Sequence, residues 1–376
     1  MVDSTRAGIT PIVMPKWGLS MKEGKLTSWL VEEGAEIRVG APILEVETDK
    51  IANAVEAPDP GTLRRKVAQE GDTLPVKALL GVMADAGVTN ADIDAFVAAY
   101  VTPADTESED VAAAPAYQFA EVDGLSIRYA RKGAGNGVPV LFIHGFGGDL
   151  DNWLFNLDAV GEKAPVIALD LPGHGQSTPR LPGTSIEALA GFVAHFMDAI
   201  EVERAHLVGH SLGGAIAAQL ALDHPQRVAS VALIGAAGLG PEINASYTED
   251  FVAAPSRREL KPVLERLFAK PELVSRQMVD DVLKYKRLDG VGELLGALSR
   301  GVFGGGRQTE QPGLRLEETG KPVLVIWGRE DRIIPAKHAA NAPPGATVEV
   351  FDGAGHMVQM ERANEVNRLL RRHVGA

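Results

Sequence analysis

The chain carries a serine placed to act as a covalent nucleophile. Ser211 stands in Gly209-His-Ser-Leu-Gly213, a G-x-S-x-G pentapeptide between the apolar run Ala205 to Gly209 and a Gly- and Ala-rich segment. With a strand before it and a helix after it, the two glycines let the backbone turn sharply and leave Ser211 exposed on an elbow at a helix N-terminus. A serine hydroxyl is a poor nucleophile until a base takes its proton, and that base needs a group to fix its tautomer. His356 in Asp352-Gly-Ala-Gly-His-Met and Asp331 in Trp327-Gly-Arg-Glu-Asp-Arg meet both needs, each just after an apolar run. His144 and His174 precede the nucleophile and read as loop-shaping or oxyanion-side residues, while His210 adjoins Ser211 and projects differently. Glu330 and Asp352 stay open as alternative acids. Attack on an acyl carbonyl also needs donors for the oxyanion. His144-Gly-Phe-Gly-Gly148 follows another apolar run, and the backbone amides of Phe146 and Leu212 are the expected pair.

These residues need a scaffold that brings distant segments to one edge. From Tyr117 onward, apolar runs at Val138 to His144, Val166 to Asp170, Ala205 to Gly209, Val228 to Ile234, Val323 to Gly328 and Thr347 to Phe351 are buried-strand candidates. Helical segments between them predict a mostly parallel sheet covered on both faces. The interval from Pro241 to Gly320 is long, charge-rich and helical in pattern, and is expected to be a cap of about 241–320 over the active edge.

The first third of the chain is organised differently. The segment from Gly24 realigns with the segment from Gly61, so that Gly24 meets Gly61, Leu26 meets Leu63, Glu33-Gly34 meets Glu70-Gly71, Ile37 meets Leu74, Val39 meets Val76 and Ile43 meets Leu80. Each half alternates apolar and polar residues in short runs punctuated by glycine, the pattern of half-buried strands and tight turns. Two such halves predict a small β-sandwich with internal two-fold symmetry. The join, Glu45 to Val55, reads as a hairpin with Asp49-Lys50 at its tip. A short helix is expected over Asn90 to Tyr100, and residues 102–116 are acidic and Ala/Pro-rich, as in a linker. The expected organisation is therefore a domain over 9–84, a helix and linker over 85–116 and a second domain over 117–376.

Composition narrows the class of function. The 376 residues are 45% hydrophobic and 23% charged, as in a globular protein of two domains. A formal net charge of -13 argues against a nucleic-acid or anionic-membrane partner. There is no cysteine, so covalent chemistry falls to another residue, and no Cys-based metal site is expected. The N-terminal stretch lacks an apolar core and no run approaches a membrane span, so a cytoplasmic location is expected.

Two resemblances sharpen this reading. His144-Gly-Phe-Gly-Gly, Asp170-Leu-Pro-Gly-His-Gly-Gln-Ser, Gly209-His-Ser-Leu-Gly-Gly, Gly328-Arg-Glu-Asp and Gly355-His make the region from Tyr117 to the C-terminus resemble the α/β-hydrolase family, in which the nucleophile, acid and base occur in that order. Met14-Pro-Lys-Trp-Gly and Glu45-Val-Glu-Thr-Asp-Lys-Ile make the N-terminal part resemble a lipoyl domain of the 2-oxo acid dehydrogenase complexes, in which Lys50 matches the lysine that carries lipoate. Biotinyl domains have Met on each side of their lysine, whereas Asp49 and Ile51 flank this one. A lipoyl domain joined to an α/β-hydrolase domain resembles the acyltransferase component of the acetoin dehydrogenase system. That resemblance implies transfer of an acetyl group from lipoyl-Lys50 through Ser211 to CoA. It implies as partners the thiamine-diphosphate-dependent acetoin dehydrogenase subunits and dihydrolipoamide dehydrogenase, in an assembly that can be oligomeric. No peripheral-subunit-binding domain and no H-x-x-x-D-G catalytic signature is found, a departure from ordinary dihydrolipoamide acyltransferases that leaves docking and assembly without an assigned segment. Arg257, Arg258, Lys261, Arg266 and Lys284-Tyr-Lys-Arg287 are cations that could meet CoA phosphates. An esterase or thioesterase that discharges the arm to water, and a lipoyl carrier with an idle hydrolase domain, are the alternative functions.

Overall fold

The computed structural model describes residues 8–17, 21–48, 52–57, 59–103, 117–133 and 136–375. The chain divides into two compact units, Met1–Ala114 and Pro115–Ala376. The linker expected over 102–116 lies almost entirely outside the described residues.

Eight short strands build the first unit: β1 (Ile9–Val13), β2 (Glu23–Trp29), β3 (Glu36–Ile37), β4 (Pro42–Glu47), β5 (Ala52–Glu56), β6 (Gly61–Lys66), β7 (Thr73–Pro75) and β8 (Leu79–Ala84). They form two antiparallel sheets with the orders β1-β8-β6-β3 and β5-β4-β2-β7. Shifting every strand by four places converts one order into the other, which is the two-fold symmetry expected from the repeat. The symmetry extends to single hydrogen bonds. Gly34 N donates to Leu63 O (2.6 Å) and Gly71 N to Leu26 O (2.7 Å). Glu33 accepts from Lys66 N at 2.6 Å and Glu70 from Trp29 N at 2.9 Å. The paired Glu-Gly dipeptides thus recur because each carboxylate and each left-handed glycine closes a turn onto the opposite half. Leu26, Leu63, Ile43 and Leu80 fill the shared core, all fully buried. The match of Val39 with Val76 does not extend to burial. Val39 is 62% exposed and Val76 is 6% exposed, so the two halves differ where one face has no partner to cover it.

Helix α1 (Asn90–Ala99) starts at Thr89, whose side chain accepts from Asp92 N, and ends one residue short of the expected Tyr100. Its buried Ile93 packs on Ile9, Leu79, Val82 and Ala84, on the outside of one sheet.

In the second unit, an eight-stranded sheet has the order β16-β15-β14-β13-β11-β12-β10-β9. Its strands are β9 (Gln118–Val122), β10 (Leu125–Lys132), β11 (Val140–Ile143), β12 (Val166–Leu169), β13 (Ala205–His210), β14 (Val228–Ile234), β15 (Val323–Gly328) and β16 (Thr347–Phe351). The six apolar runs in the sequence are the parallel part, and β11 through β15 are almost wholly buried. β9 and β10 add an antiparallel hairpin at one edge. Helices α2 (Leu157–Gly161), α3 (Ile186–Ala199), α4 (Leu212–Asp223), α9 (Val358–Glu361) and α10 (Ala363–Val374) alternate with the strands. The interval 241–320 holds α5 (Ala245–Ala253), α6 (Arg257–Leu264), α7 (Arg276–Lys286), α8 (Val291–Val302) and several short 3-10 turns. The two ends of this interval are held together, because Gln308 donates from its side chain to Glu242 O (2.8 Å) and accepts from Gly238 N (2.6 Å). Among the described residues no helix is long and apolar enough to cross a membrane.

One buried ion pair secures the loops that border the site. Arg128 on β10 donates to Asp170 through Nε (2.6 Å) and Nη2 (3.2 Å), and Asp170 also accepts from Leu150 N (2.9 Å) and Gln176 N (2.8 Å). Replacing Asp170 by Asn leaves Arg128 charged and unpaired, which should cost about 3–5 kcal/mol in a denaturant titration. In the first unit, Gly34 (φ +91°) and Gly71 (φ +97°) have open space where a side chain would start, so only backbone strain opposes substitution. Gly34→Ala and Gly71→Ala should each cost about 1–2 kcal/mol, by similar amounts, read by hydrogen exchange of the strand amides.

Candidate active site

Ser211 closes β13 and opens α4 with φ +52° and ψ -121°, a backbone conformation rare for a residue with a side chain. Three hydrogen bonds hold it there: Ser211 N donates to Ile234 O (3.0 Å), while Gly214 N and Ala237 N both donate to Ser211 O (2.9 Å each). The flanking glycines are required by contact as well as by torsion. A Cβ on Gly209 would lie 2.2 Å from Gly213 O, and one on Gly213 would lie 2.1 Å from Ile143 O.

The imidazole of His356 comes to the same place. His356 follows β16, is 2% exposed, and its Nδ1 donates to Asp331 Oδ2 at 2.8 Å. That bond puts the ring proton on Nδ1 and leaves Nε2 free to accept. The next residue after Ile234, whose carbonyl holds Ser211, is Gly235, and a Cβ built on it would stand 3.3 Å from His356 Nδ1. Asp331 follows β15 and has every lone pair directed. Its Oδ1 accepts from Ile333 N (2.8 Å) and Ile334 N (2.9 Å), and its Oδ2 from Trp327 Nε1 (3.1 Å). The alternative acids are engaged elsewhere: Glu330 accepts from Ala354 N (3.1 Å), and Asp352 pairs with Arg329 at the surface.

The loop after β11 lies on the other side of Ser211. A Cβ on Gly145 would fall 2.8 Å from Ser211 Cβ, so this glycine lets the loop sit directly on the elbow. Neither the Phe146 amide nor the Leu212 amide has an acceptor among the described residues. The Phe146 ring meets Phe251 at 5.7 Å and Phe303 at 6.2 Å, both from the helical interval, giving an aromatic wall beside the serine.

His144 and His174 shape the surrounding loops. His144 Nδ1 donates to Gly145 O (2.7 Å) and its Nε2 accepts from Leu171 N (2.9 Å), while burial pushes its pKa well down. His174 is lowered to about 4 by burial and stacks on Tyr285, whose hydroxyl donates to Gly173 O at 2.5 Å. The cations expected to face phosphates are largely spoken for. Arg257 pairs with Asp280, Lys261 with Glu265 and Arg266 with Asp250. Lys286 donates to Phe251 O and, at 2.7 Å, to Ala254 O, and burial lowers it to about 8.

Two further residues support this arrangement and were not singled out in the sequence. Trp327 orients Asp331, and Glu361 accepts from Gly355 N (2.6 Å) beside His356 as well as from Ala269 N (2.9 Å) in the helical interval. Trp327 precedes Asp331 by four residues, and that spacing across a strand end was the available clue. Lys50 lies outside the described residues, as do Asp49 and Ile51. The strands around it end at the pair Glu47 and Ala52, so it belongs to the connection between β4 and β5.

Comparison with known proteins agrees with both halves. A family profile described as the alpha/beta hydrolase fold matches residues 138–363, and one described as biotin-requiring enzyme matches residues 10–83. A meta-cleavage product hydrolase from Pseudomonas fluorescens superposes with a TM-score of 0.62 at 26% identity, over 69% of this chain and 97% of that one. The dihydrolipoyllysine-residue acetyltransferase component of the acetoin cleaving system of Cupriavidus necator is 68% identical over 98% of each chain. The component of the same name from Pseudomonas putida is 48% identical over 97% of this chain and 99% of that relative. Matched along nearly its whole length in both units, the chain belongs to the family of dihydrolipoyllysine-residue acetyltransferase components of acetoin cleaving systems.

Proposed function

We propose that Ser211, His356 and Asp331 act as nucleophile, base and orienting acid in moving an acetyl group from a lipoyl thiol on Lys50 to CoA. The observation that carries this reading is the serine elbow set against the Nδ1-protonated His356, with Asp331 at 2.8 Å, in a chain that also has the two-sheet lipoyl-type unit. Lipoate is held as an amide on a lysine amine, and Lys50 supplies that amine in the β4–β5 connection, so the residue chemistry fits. When bound, the lipoyl group supplies the thiol that carries the acetyl group as a thioester.

In the first half-reaction Ser211 Oγ attacks the thioester carbonyl as His356 Nε2 takes its proton. The Phe146 and Leu212 amides donate to the carbonyl oxygen as it becomes negative. The C–S bond then breaks, His356 returns the proton to the leaving thiolate, and acetyl-Ser211 remains. In the second half His356 takes the proton of the CoA thiol, its sulfur attacks the acetyl carbon, and the C–O bond to Ser211 breaks with the proton returning to Oγ. Asp331 stays ionised and holds the ring through both halves. The partners that charge and reoxidise the arm are a thiamine-diphosphate-dependent dehydrogenase and dihydrolipoamide dehydrogenase, the group expected of a component of an acetoin cleaving system.

The likeness to a hydrolase of 26% identity favours a second reading, in which water accepts the acetyl group. Acetylated protein mixed with and without CoA separates the two: acetyl-CoA formed in step with loss of the acetyl group supports transfer, and equal acetate in both overturns it. Ser211→Ala should lower transfer about a thousandfold or more, and unchanged turnover would leave the chain a carrier. Intact mass should show one lipoyl addition in material from a lipoylating host, and Lys50→Arg should remove it while leaving Ser211 reactive to a fluorophosphonate.

A further inference from the structure

We propose that His210 is a positioning residue for this reaction: its neutral imidazole ties the peptide before the nucleophile to the backbone of His356 and sets where the base stands. The inference rests on the reading of Ser211 and His356 given above and adds a residue to it.

Three contacts meet on this ring. His210 Nε2 donates to His356 O at 3.0 Å, a bond that joins residues 146 apart in sequence. The two imidazoles lie 4.7 Å apart between centroids, tilted by 52°. On the opposite side, a Cβ on Gly145 would stand 3.3 Å from His210 Nδ1, so the ring also underlies the loop that carries the Phe146 amide. One side chain therefore touches the base and the loop of the oxyanion donors, and its own peptide leads into the nucleophile. The edge-on Trp153 ring at 6.4 Å closes the remaining side, and His210 is 3% exposed.

The protonation state follows from the partners. A carbonyl only accepts, so the ring proton is on Nε2, and Nδ1 meets no donor among the described residues. Burial and the neighbouring His356 both disfavour a charge on His210. This suits a residue beside the base. When His356 becomes imidazolium during attack, a neutral neighbour imposes no repulsion, whereas a second cation in that dry space would oppose the proton transfer. Fixing the His356 carbonyl and packing its ring leave the Nε2 atom little freedom, and a misplacement of about 1 Å in such geometry can cost about a hundredfold in rate.

The test uses the full-length chain, acetyl-dihydrolipoamide as donor, CoA as acceptor and a fluorophosphonate as a direct probe of Ser211. His210→Phe keeps an aromatic ring and removes the donor. His210→Gln places an amide N–H where Nε2 stood, and His210→Asn is polar but one carbon too short. The expected result is a fall of about tenfold or more in kcat and in the fluorophosphonate rate for H210F and H210N. KM for the donor should change less than about twofold, and H210Q should recover to within about threefold of wild type. Where H210F does not fold, the contrast of H210N with H210Q carries the same test. Rates within twofold of wild type in H210N, or a loss in H210Q as large as in H210N, overturn the positioning role while the triad stands. A wild-type chain that the fluorophosphonate leaves unlabelled overturns the reading of the triad and this inference together.

Discussion

The close approach of α4 to β13 is the constraint on which the site is built. Ser211 holds a positive φ because its amide and carbonyl are both tied to the segment around β14, at Ile234 and Ala237, and because nothing bulky stands at 209, 213 or 214. A Cβ at Gly214 would lie 2.4 Å from Ala236 Cβ, so even the third residue beyond the serine must yield to the adjacent strand end. Such strain persists only where the surroundings over-determine it. Here a buried parallel sheet does so, and it delivers Asp331 and His356 from the ends of the next two strands along. Ser211, Asp331 and His356 follow β13, β15 and β16, which with β14 between them form one run of the sheet, so the three residues gather at one edge although 120 positions separate Ser211 from Asp331.

Much of this was legible in the residues. Glycines at fixed spacing around Ser211, acidic and basic residues just after apolar runs, and a repeat of Glu-Gly dipeptides are local signals, and each reports one steric or hydrogen-bonding requirement. The six buried strands were also legible, because strands covered on both faces read as unbroken apolar runs. The β9–β10 hairpin was not. Its outer strand β9 alternates in exposure at the sheet edge, and the buried Arg128 in β10 looks like a surface charge until Asp170 is placed against it. The supports of the site were hidden for the same reason. Trp327, Glu361 and His210 meet partners supplied by folding, and a residue type alone does not announce a long-range partner. The cationic cluster at 257–287 shows how a string of charges hides its partners. Read as a string it suggested a phosphate site, yet Arg257, Lys261 and Arg266 are matched by carboxylates, and Lys286 is consumed by the carbonyls that end α5.

The helical interval is hydrogen-bonded to the loop bearing His356. Leu267 O accepts from Met357 N at 3.0 Å, and Glu361 bonds both to Gly355 and to Ala269. A glycine at 355 is needed for this contact, since a Cβ there would fall 2.6 Å from Ala269 N. The interval and the loop bearing His356 therefore form one hydrogen-bonded surface, and a shift of either is felt at the other.

The exchange symmetry of the first unit has a geometric consequence. The strand pair β4 and β5, whose connection includes Lys50, corresponds under the four-place shift to the pair β8 and β1 in the other sheet. The place equivalent to that connection is where the backbone passes into and out of the sandwich. The β4–β5 connection and the entry and exit of the backbone thus lie on different sheets, so a group attached at one is separated from the other by the shared core.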